Sequence, residues 1–155
     1  MNKAFVKEQD GADGGEDLPD REISPYPNLV TPAGLAAIEA EVARLDKVRE
    51  AAIAGKATDT LPRIARDLRY WTARRASARL TDAPPDAKTV HFGSTVTIER
   101  DDGRIQTFRI VGEDEADPAR GTLSHTSPLA RALIGRAVGD TAKVGDGEAE
   151  ITRIQ

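Results

Sequence analysis

The arginines and acids near the start of the second predicted helix are the side chains of this sequence with the most informative chemistry. Arg63, Arg66 and Arg69 recur at three-residue intervals, so they lie near one face of that helix. Such a face either stays solvated or binds phosphate and carboxylate groups. Asp59 and Asp67 are the acids of this region. Magnesium needs two carboxylate oxygens within reach of one ion, and acids this far apart are not expected to share one.

Composition excludes several classes of function. The 155 residues carry a net charge of -4, which argues against a protein that coats nucleic acid through a general positive field. There are no cysteines and only 2 histidines, so disulfides, thiolate sites and a histidine zinc site are not expected. We expect no metal and no cofactor. Without an apolar leader or membrane span, a cytoplasmic protein is the default.

Three regions follow from the changes in pattern along the chain. Residues 1–29 are rich in glycine and acids, which predicts an acidic, disordered tail. Residues 30–83 predict an antiparallel coiled-coil hairpin, and residues 84–155 predict a small β-rich domain. The tail and the second helix have opposite charge, so the tail is also a candidate intramolecular cover for the arginines from Arg63 to Arg79.

Apolar residues at seam spacing predict the two helices. Thr31 is a natural N-cap and Pro32 suits the first helical position. The second helix follows the short KATDT connection, with Asp59 or Thr60 as its N-cap and Pro62 in its first turn. The seam positions recur every three or four residues, as in a coiled coil; they are Leu35, Ile38, Val42 and Leu45, then Ile64, Leu68, Trp71 and Ala78.

Beyond the Pro-rich TDAPPDAK segment the pattern changes to alternation, which predicts strands in TVHFGSTVTIER, RIQTFRIVG and EAEITRIQ. Asp102-Gly103 and Asp146-Gly147 are hairpin turn signals. Within SPLARALIG, Ser127 as N-cap and Gly135 as terminator predict a short helix. The fold class is therefore α+β: a helical hairpin followed by a small antiparallel β domain with one short helix.

The remaining polar clusters are interpreted structurally. Glu113, Asp114, Glu115 and Asp117 show no EF-hand spacing, so a solvated acidic loop is expected. His91 and His125 lack a partner pattern for a hydrolytic triad.

The segments FGSTVTI, TFRIVGEDEAD, SPLARALIG and VGD, following a two-helix hairpin, resemble the Gre family of bacterial transcription elongation factors over about residues 30–155. The resemblance implies an FKBP-like second domain that binds at the rim of the secondary channel of bacterial RNA polymerase. It also implies that the hairpin tip enters that channel, close to nascent RNA and DNA. We expect a monomer that acts without a membrane.

The resemblance also assigns the candidate site residues. In typical Gre factors a D-x-x-E pair at the tip holds a magnesium ion for RNA hydrolysis; with Tyr70 as the anchor, that pair falls on Arg63 and Arg66. The expected tip contacts are Asp59, Arg63, Arg66, Asp67 and Tyr70, and the expected polymerase-docking residues are Thr126, Ser127, Pro128 and Arg131. The sequence thus predicts an elongation regulator that occupies the channel, without transcript cleavage and without enzymatic activity of its own.

Three alternatives remain open. One is a cleavage-stimulating factor that uses Asp59. A second is a peptidyl-prolyl isomerase, suggested only by the implied fold, for which Phe92 and Phe108 are the available aromatic residues. A third is a coiled-coil protein-interaction module that does not bind polymerase.

Overall fold

The computed structural model describes residues 18–155, so most of the predicted acidic tail lies outside the described residues. The chain forms two compact units. The hairpin unit contains residues 18–25 and 38–76 of the described part, and the β-rich unit contains residues 26–37 and 77–155. Among residues 18–155, no helix combines the length and the apolar character needed to span a bilayer.

Two helices with an apolar seam build the hairpin unit. Helix α1 covers Pro32–Ala54, a 3-10 turn covers Thr58–Thr60, and helix α2 covers Leu61–Ser77. The predicted seam is confirmed at five positions, because Ile38, Val42, Leu45, Ile64 and Leu68 are buried. Trp71 packs against the cluster formed by the last four of these residues, whereas Leu35 is only half-buried. Ala78 was predicted to continue this seam, but α2 ends one residue before it.

Within residues 18–155, seven strands and one short α-helix complete the fold. Strands β1 (Leu29–Val30) and β2 (Arg79–Leu80) form a parallel pair of their own. The main sheet has the order β5-β4-β3-β7-β6, and a short helix α3 (Pro128–Leu133) adds Ala130 and Leu133 to its core. The strands of the main sheet are β3 (Thr95–Arg100), β4 (Ile105–Val111), β5 (Thr122–Ser124), β6 (Thr141–Val144) and β7 (Gly147–Ile154).

The α+β class is confirmed, but the sheet is mixed rather than wholly antiparallel. Strand β5 runs parallel to β4, with Ile110 opposite Leu123. This strand is only 3 residues long, too short for an alternating pattern to reveal it. Its edge position is therefore decided by the pairing of its backbone with β4 and by burial of Leu123 in the core.

Two of the three predicted N-caps are present, at Thr31 and Ser127. The N-cap predicted at Asp59 or Thr60 is not seen among the described residues, because Thr60 Oγ1 donates to the Ala57 carbonyl oxygen at 2.9 Å instead of accepting from a backbone N–H. The Gly34 N–H donates to Thr31 Oγ1 at 2.9 Å, which caps α1. The Ala130 N–H donates to Ser127 Oγ at 3.3 Å, which caps α3, and Gly135 follows that helix with φ +88°. Gly103 has φ +83° in the β3–β4 turn, as its turn signal indicates.

Candidate functional site

Asp59 and Arg63 are both exposed at the start of the second arm of the hairpin unit. Asp59 lies in the 3-10 turn that precedes α2, and its carboxylate has no hydrogen bond or ion pair with a described residue. Arg63, in the first turn of α2, likewise has no ion pair with a described residue. The guanidinium group of Arg63 is therefore available to an external anion.

Asp67 is held between two guanidinium groups. Its Oδ1 lies 3.5 Å from Arg21 Nη1 and 3.6 Å from Arg66 Nε. The Arg66 Nε atom is buried and has no hydrogen-bond partner in the structure, because 3.6 Å is an ion-pair distance but too long for a hydrogen bond. The carboxylate of Asp67 is thus compensated by two positive charges, which oppose its binding of a cation.

Tyr70 is covered by the same arginine. The Arg21 guanidinium carbon lies 3.9 Å from the centre of the Tyr70 ring, a cation–π contact. Tyr70 also packs edge-on against Trp71, with ring centres 5.1 Å apart. Arg21 was not among the predicted site residues, and nothing in the spacing of its neighbours distinguishes it from a tail residue.

The structure differs from the prediction of a disordered tail over residues 18–28, which make defined contacts. Arg69 Nε donates to Asp20 Oδ1, and Arg69 Nη2 donates to the carbonyl oxygen of Leu18 at 3.3 Å. Part of the predicted intramolecular cover is therefore present at Arg69, and its more acidic part lies outside the described residues. The ion pairs of Arg66 and Arg69 go to Asp67 and Asp20.

The hairpin end therefore presents the exposed guanidinium group of Arg63 and the exposed carboxylate of Asp59. Within residues 18–155, no cluster of three or more histidine or acidic side chains is arranged to hold a metal ion. Asp59 lies 8 positions before Asp67 in the sequence, and Asp67 is already paired with Arg21 and Arg66. Arg63 and Arg66 suit contacts with phosphate or carboxylate groups, since guanidinium groups bind both through charge-assisted hydrogen bonds.

The predicted docking loop, residues 126–131, uses its hydroxyl groups for internal hydrogen bonds. Thr126 Oγ1 donates to Glu113 Oε1 at 3.2 Å and lies 2.7 Å from Ser124 Oγ. Ser127 Oγ caps α3, and Pro128 is the first residue of that helix. Arg131 is exposed on α3.

Two acids beside this loop support the fold, contrary to the solvated acidic loop that we predicted. Glu115 Oε1 accepts from Thr31 Oγ1 at 2.6 Å, and its Oε2 accepts from the Thr31 N–H at 3.3 Å. A Cβ atom at Gly34 would overlap Glu115 Oε2, so a side chain at this position would displace the Glu115 carboxylate. Together with the Thr126 bond to Glu113, these contacts make the acidic segment part of the β-rich unit.

Phe92 and the histidines show no catalytic arrangement. Phe92 is only 7% exposed and packs edge-on against His125, with ring centres 5.5 Å apart. His91 Nε2 lies 3.0 Å from Thr89 Oγ1. Since Phe92 belongs to the core, it does not line an open aromatic pocket of the kind a prolyl isomerase needs.

The sequence of this chain is similar to those of known proteins. Residues 84–154 match the family model described as transcription elongation factor, GreA/GreB, C-term. The chain is 38% identical to transcription elongation factor GreB of Xanthomonas axonopodis pv. citri over 132 residues, which cover 72% of this chain and 79% of the relative. It is 35% identical to GreB of Haemophilus ducreyi over 136 residues, which cover 76% and 84%.

A solved structure also aligns with the chain. GreA factor homolog 1 (Gfh1) of Thermus thermophilus is 19% identical, with a TM-score of 0.41, and the alignment covers 84% of this chain and 99% of that protein.

Proposed function

We propose, since this chain belongs to the GreA/GreB family of transcription elongation factors, that it binds bacterial RNA polymerase and regulates elongation without stimulating transcript cleavage. The membership confirms the resemblance read from the sequence motifs. In this proposal the hairpin enters the secondary channel of the polymerase, and the factor has no enzymatic activity of its own. It acts as a monomer, together with polymerase in the bacterial cytoplasm.

The observation that carries the proposal is the charge at the hairpin end. Arg63 and Arg66 stand where the family resemblance places the two acids of the cleavage pair. Asp67 is the acid nearest in sequence to the anchor Tyr70. Its charge is compensated by Arg21 and Arg66, whose Nη1 and Nε atoms lie 3.5 and 3.6 Å from Asp67 Oδ1. A magnesium ion at this position would need oxygen ligands but would face guanidinium groups, and electrostatic repulsion would oppose its binding.

Occupancy of the channel is then the source of the regulatory effect. The exposed guanidinium of Arg63 is free to pair with carboxylates of the polymerase or with RNA phosphates at the channel end. Affinity comes chiefly from the β-rich unit through the docking loop. The hairpin determines how far the factor extends into the channel and which charged groups it brings there.

An RNA-cleavage assay on backtracked elongation complexes tests the proposal. Wild-type protein is expected to bind the complex and to leave the RNA length unchanged at every magnesium concentration. Magnesium-dependent shortening of the RNA would overturn the proposed lack of cleavage. In that case Asp59→Asn identifies the source, since loss of shortening in this variant would establish a factor that uses Asp59.

A charge-reversal variant tests the role of the two arginines. Arg63→Asp combined with Arg66→Glu is expected to reduce inhibition of RNA synthesis severalfold while the affinity for polymerase changes little. Arg75→Glu combined with Arg153→Asp is the matched control, because both of its arginines are exposed and the change in charge is the same. Unchanged inhibition by the first variant would contradict the role of Arg63 and Arg66.

Binding itself separates this proposal from the remaining alternatives. A chain that fails to bind core polymerase at low ionic strength would be an interaction module of another kind. Proline isomerisation at catalytic protein concentrations would identify an isomerase, which the burial of Phe92 argues against.

A further inference from the structure

Arg131 is the charged group that the docking loop leaves available. The hydroxyl groups of Thr126 and Ser127 are engaged by Glu113 and by the Ala130 N–H. Arg131 is exposed, and no carboxylate of residues 18–155 lies within ion-pair distance of it. The charged group of this loop that remains available to a polar partner is therefore the guanidinium group of Arg131.

Tyr26 supports this guanidinium from outside the loop. Arg131 Nη1 donates to the Tyr26 hydroxyl oxygen at 3.4 Å, and the guanidinium carbon lies 5.9 Å from the ring centre. Both contacts are at the long end of their ranges and both side chains are exposed, so each restrains Arg131 only modestly. Together they reduce the rotamer freedom that Arg131 would lose on binding. Tyr26 precedes the segment that matches the family model.

An exposed aliphatic residue completes this surface. Ile134 follows Arg131 by three positions, immediately after α3, and is 40% exposed. Residues three apart on a helical turn are neighbours. The side chains thus combine one supported cation, one half-exposed aromatic ring and one aliphatic group.

We propose that Tyr26, Arg131 and Ile134 form a docking surface for a carboxylate side chain of polymerase that lies beside an apolar residue. The inference rests on the proposed function and deepens it by assigning a partner chemistry and by adding Tyr26 as a positioning residue. A single arginine flanked by aromatic and aliphatic groups is typical of protein interfaces. Nucleic acid instead needs several cations along its backbone, and the net charge of -4 argues against that partner.

Affinity for core RNA polymerase, measured by fluorescence anisotropy of the labelled full chain, tests the assigned partner. Arg131→Glu is expected to weaken binding by about tenfold or more, because it opposes a carboxylate with a like charge. Arg131→Lys is expected to weaken it only about two- to fivefold, since the charge remains but the planar fork is lost. Arg153→Glu is the matched control and should bind like wild type, because Arg153 is an exposed arginine of β7.

A double-mutant cycle tests the role of Tyr26. Tyr26→Ala is expected to weaken binding by about two- to fivefold in the wild-type background, the range of an exposed cation–π contact. In an Arg131→Ala background the same substitution should have no further effect. Tyr26→Phe keeps the ring and should fall between wild type and Tyr26→Ala. Thermal unfolding of each variant checks that the fold is intact.

The outcomes separate two kinds of failure. Equal losses from Tyr26→Ala in both backgrounds, or no loss in either, would overturn the positioning role. Wild-type affinity of Arg131→Glu would overturn the docking surface while leaving the proposed function in place. Absence of polymerase binding by the wild-type chain would instead overturn the proposed function.

Discussion

Acidic side chains have different partners in the two units. In the β-rich unit, Glu115 accepts two hydrogen bonds from Thr31, a residue that is only 1% exposed. In the hairpin unit, Asp67 lies between Arg21 and Arg66 at ion-pair distances, without a hydrogen bond from either. Two hydrogen bonds hold the Glu115 carboxylate in place, whereas two guanidinium groups offset the negative charge of Asp67.

The two kinds of contact contribute differently to stability and to ligand binding. Hydrogen bonds to a charged group next to a buried residue are costly to lose, because the partner is left without water. Partly exposed ion pairs contribute little to stability, but they decide which charge a surface presents to a ligand. In the β-rich unit, Glu113 therefore holds Thr126 of the predicted docking loop through a hydrogen bond. In the hairpin unit, Arg21 and Arg66 offset the charge of Asp67. Four substitutions test this contrast.

The largest expected loss of stability follows Thr31→Val, which keeps the β-branched shape but removes the hydroxyl. The change eliminates the N-cap of α1 and one hydrogen bond to Glu115. We expect the free energy of unfolding to fall by about 2–3 kcal/mol in urea titrations followed by circular dichroism. Thr72→Val, at an exposed position of α2, should change it by less than about 0.5 kcal/mol. Equal losses of stability in Thr31→Val and Thr72→Val would show that the contact between Thr31 and Glu115 does not stabilise the β-rich unit.

Ser127→Ala tests the other cap of the β-rich unit. It removes the oxygen that accepts from the Ala130 N–H at the start of a helix of only 6 residues. We expect a loss of about 1 kcal/mol, measured as faster hydrogen exchange in α3. Ser127→Asp should restore the protection because Asp is an equally good N-cap. If Ser127→Ala exchanged like wild type, the cap would not stabilise the docking loop.

Arg21→Ala is expected to have a smaller effect, confined to the hairpin unit. The substitution removes the cation–π contact with Tyr70 and one of the two charges beside Asp67. We expect a loss of about 0.5–1 kcal/mol and a change in the emission of Trp71, the single tryptophan of the chain. Arg75→Ala, which removes an exposed arginine of α2, serves as the control. Unfolding curves that matched this control would exclude a role for residues 18–25 in holding Tyr70.

The smallest effect is expected for Glu41→Gln. The side-chain hydrogen bond from Arg44 lowers the pKa of Glu41 below its ordinary value of 4.5. A carboxyl whose folded-state pKa is lowered adds stability above its unfolded pKa and loses it as pH falls through the folded pKa. Glu41→Gln should therefore lower the free energy of unfolding by about 0.3–0.5 kcal/mol at pH 7, and by progressively less as the pH falls below 4.5. A difference from wild type that did not shrink as the pH was lowered would point to a cause other than charge.

Much of the fold was readable from local patterns. The spacing of Ile38, Val42, Leu45, Ile64 and Leu68 predicted the hairpin, because a stripe repeated every three or four residues has to be buried. The caps at Thr31 and Ser127 were equally local, since the cap and its N–H donor lie three residues apart. The arginines at positions 63 and 66, where the family resemblance implies two acids, were also visible in the sequence.

Long-range partners were decided only by the tertiary structure. Thr31 and Glu115 are 84 residues apart, Tyr26 and Arg131 are 105 apart, and Asp20 and Arg69 are 49 apart. Periodicity shows which face of an element is buried, but it does not show which distant side chain that face will meet. The parallel pairing of β5 with β4 was missed for the same reason, because a strand of 3 residues has no pattern of its own and is defined by its neighbour.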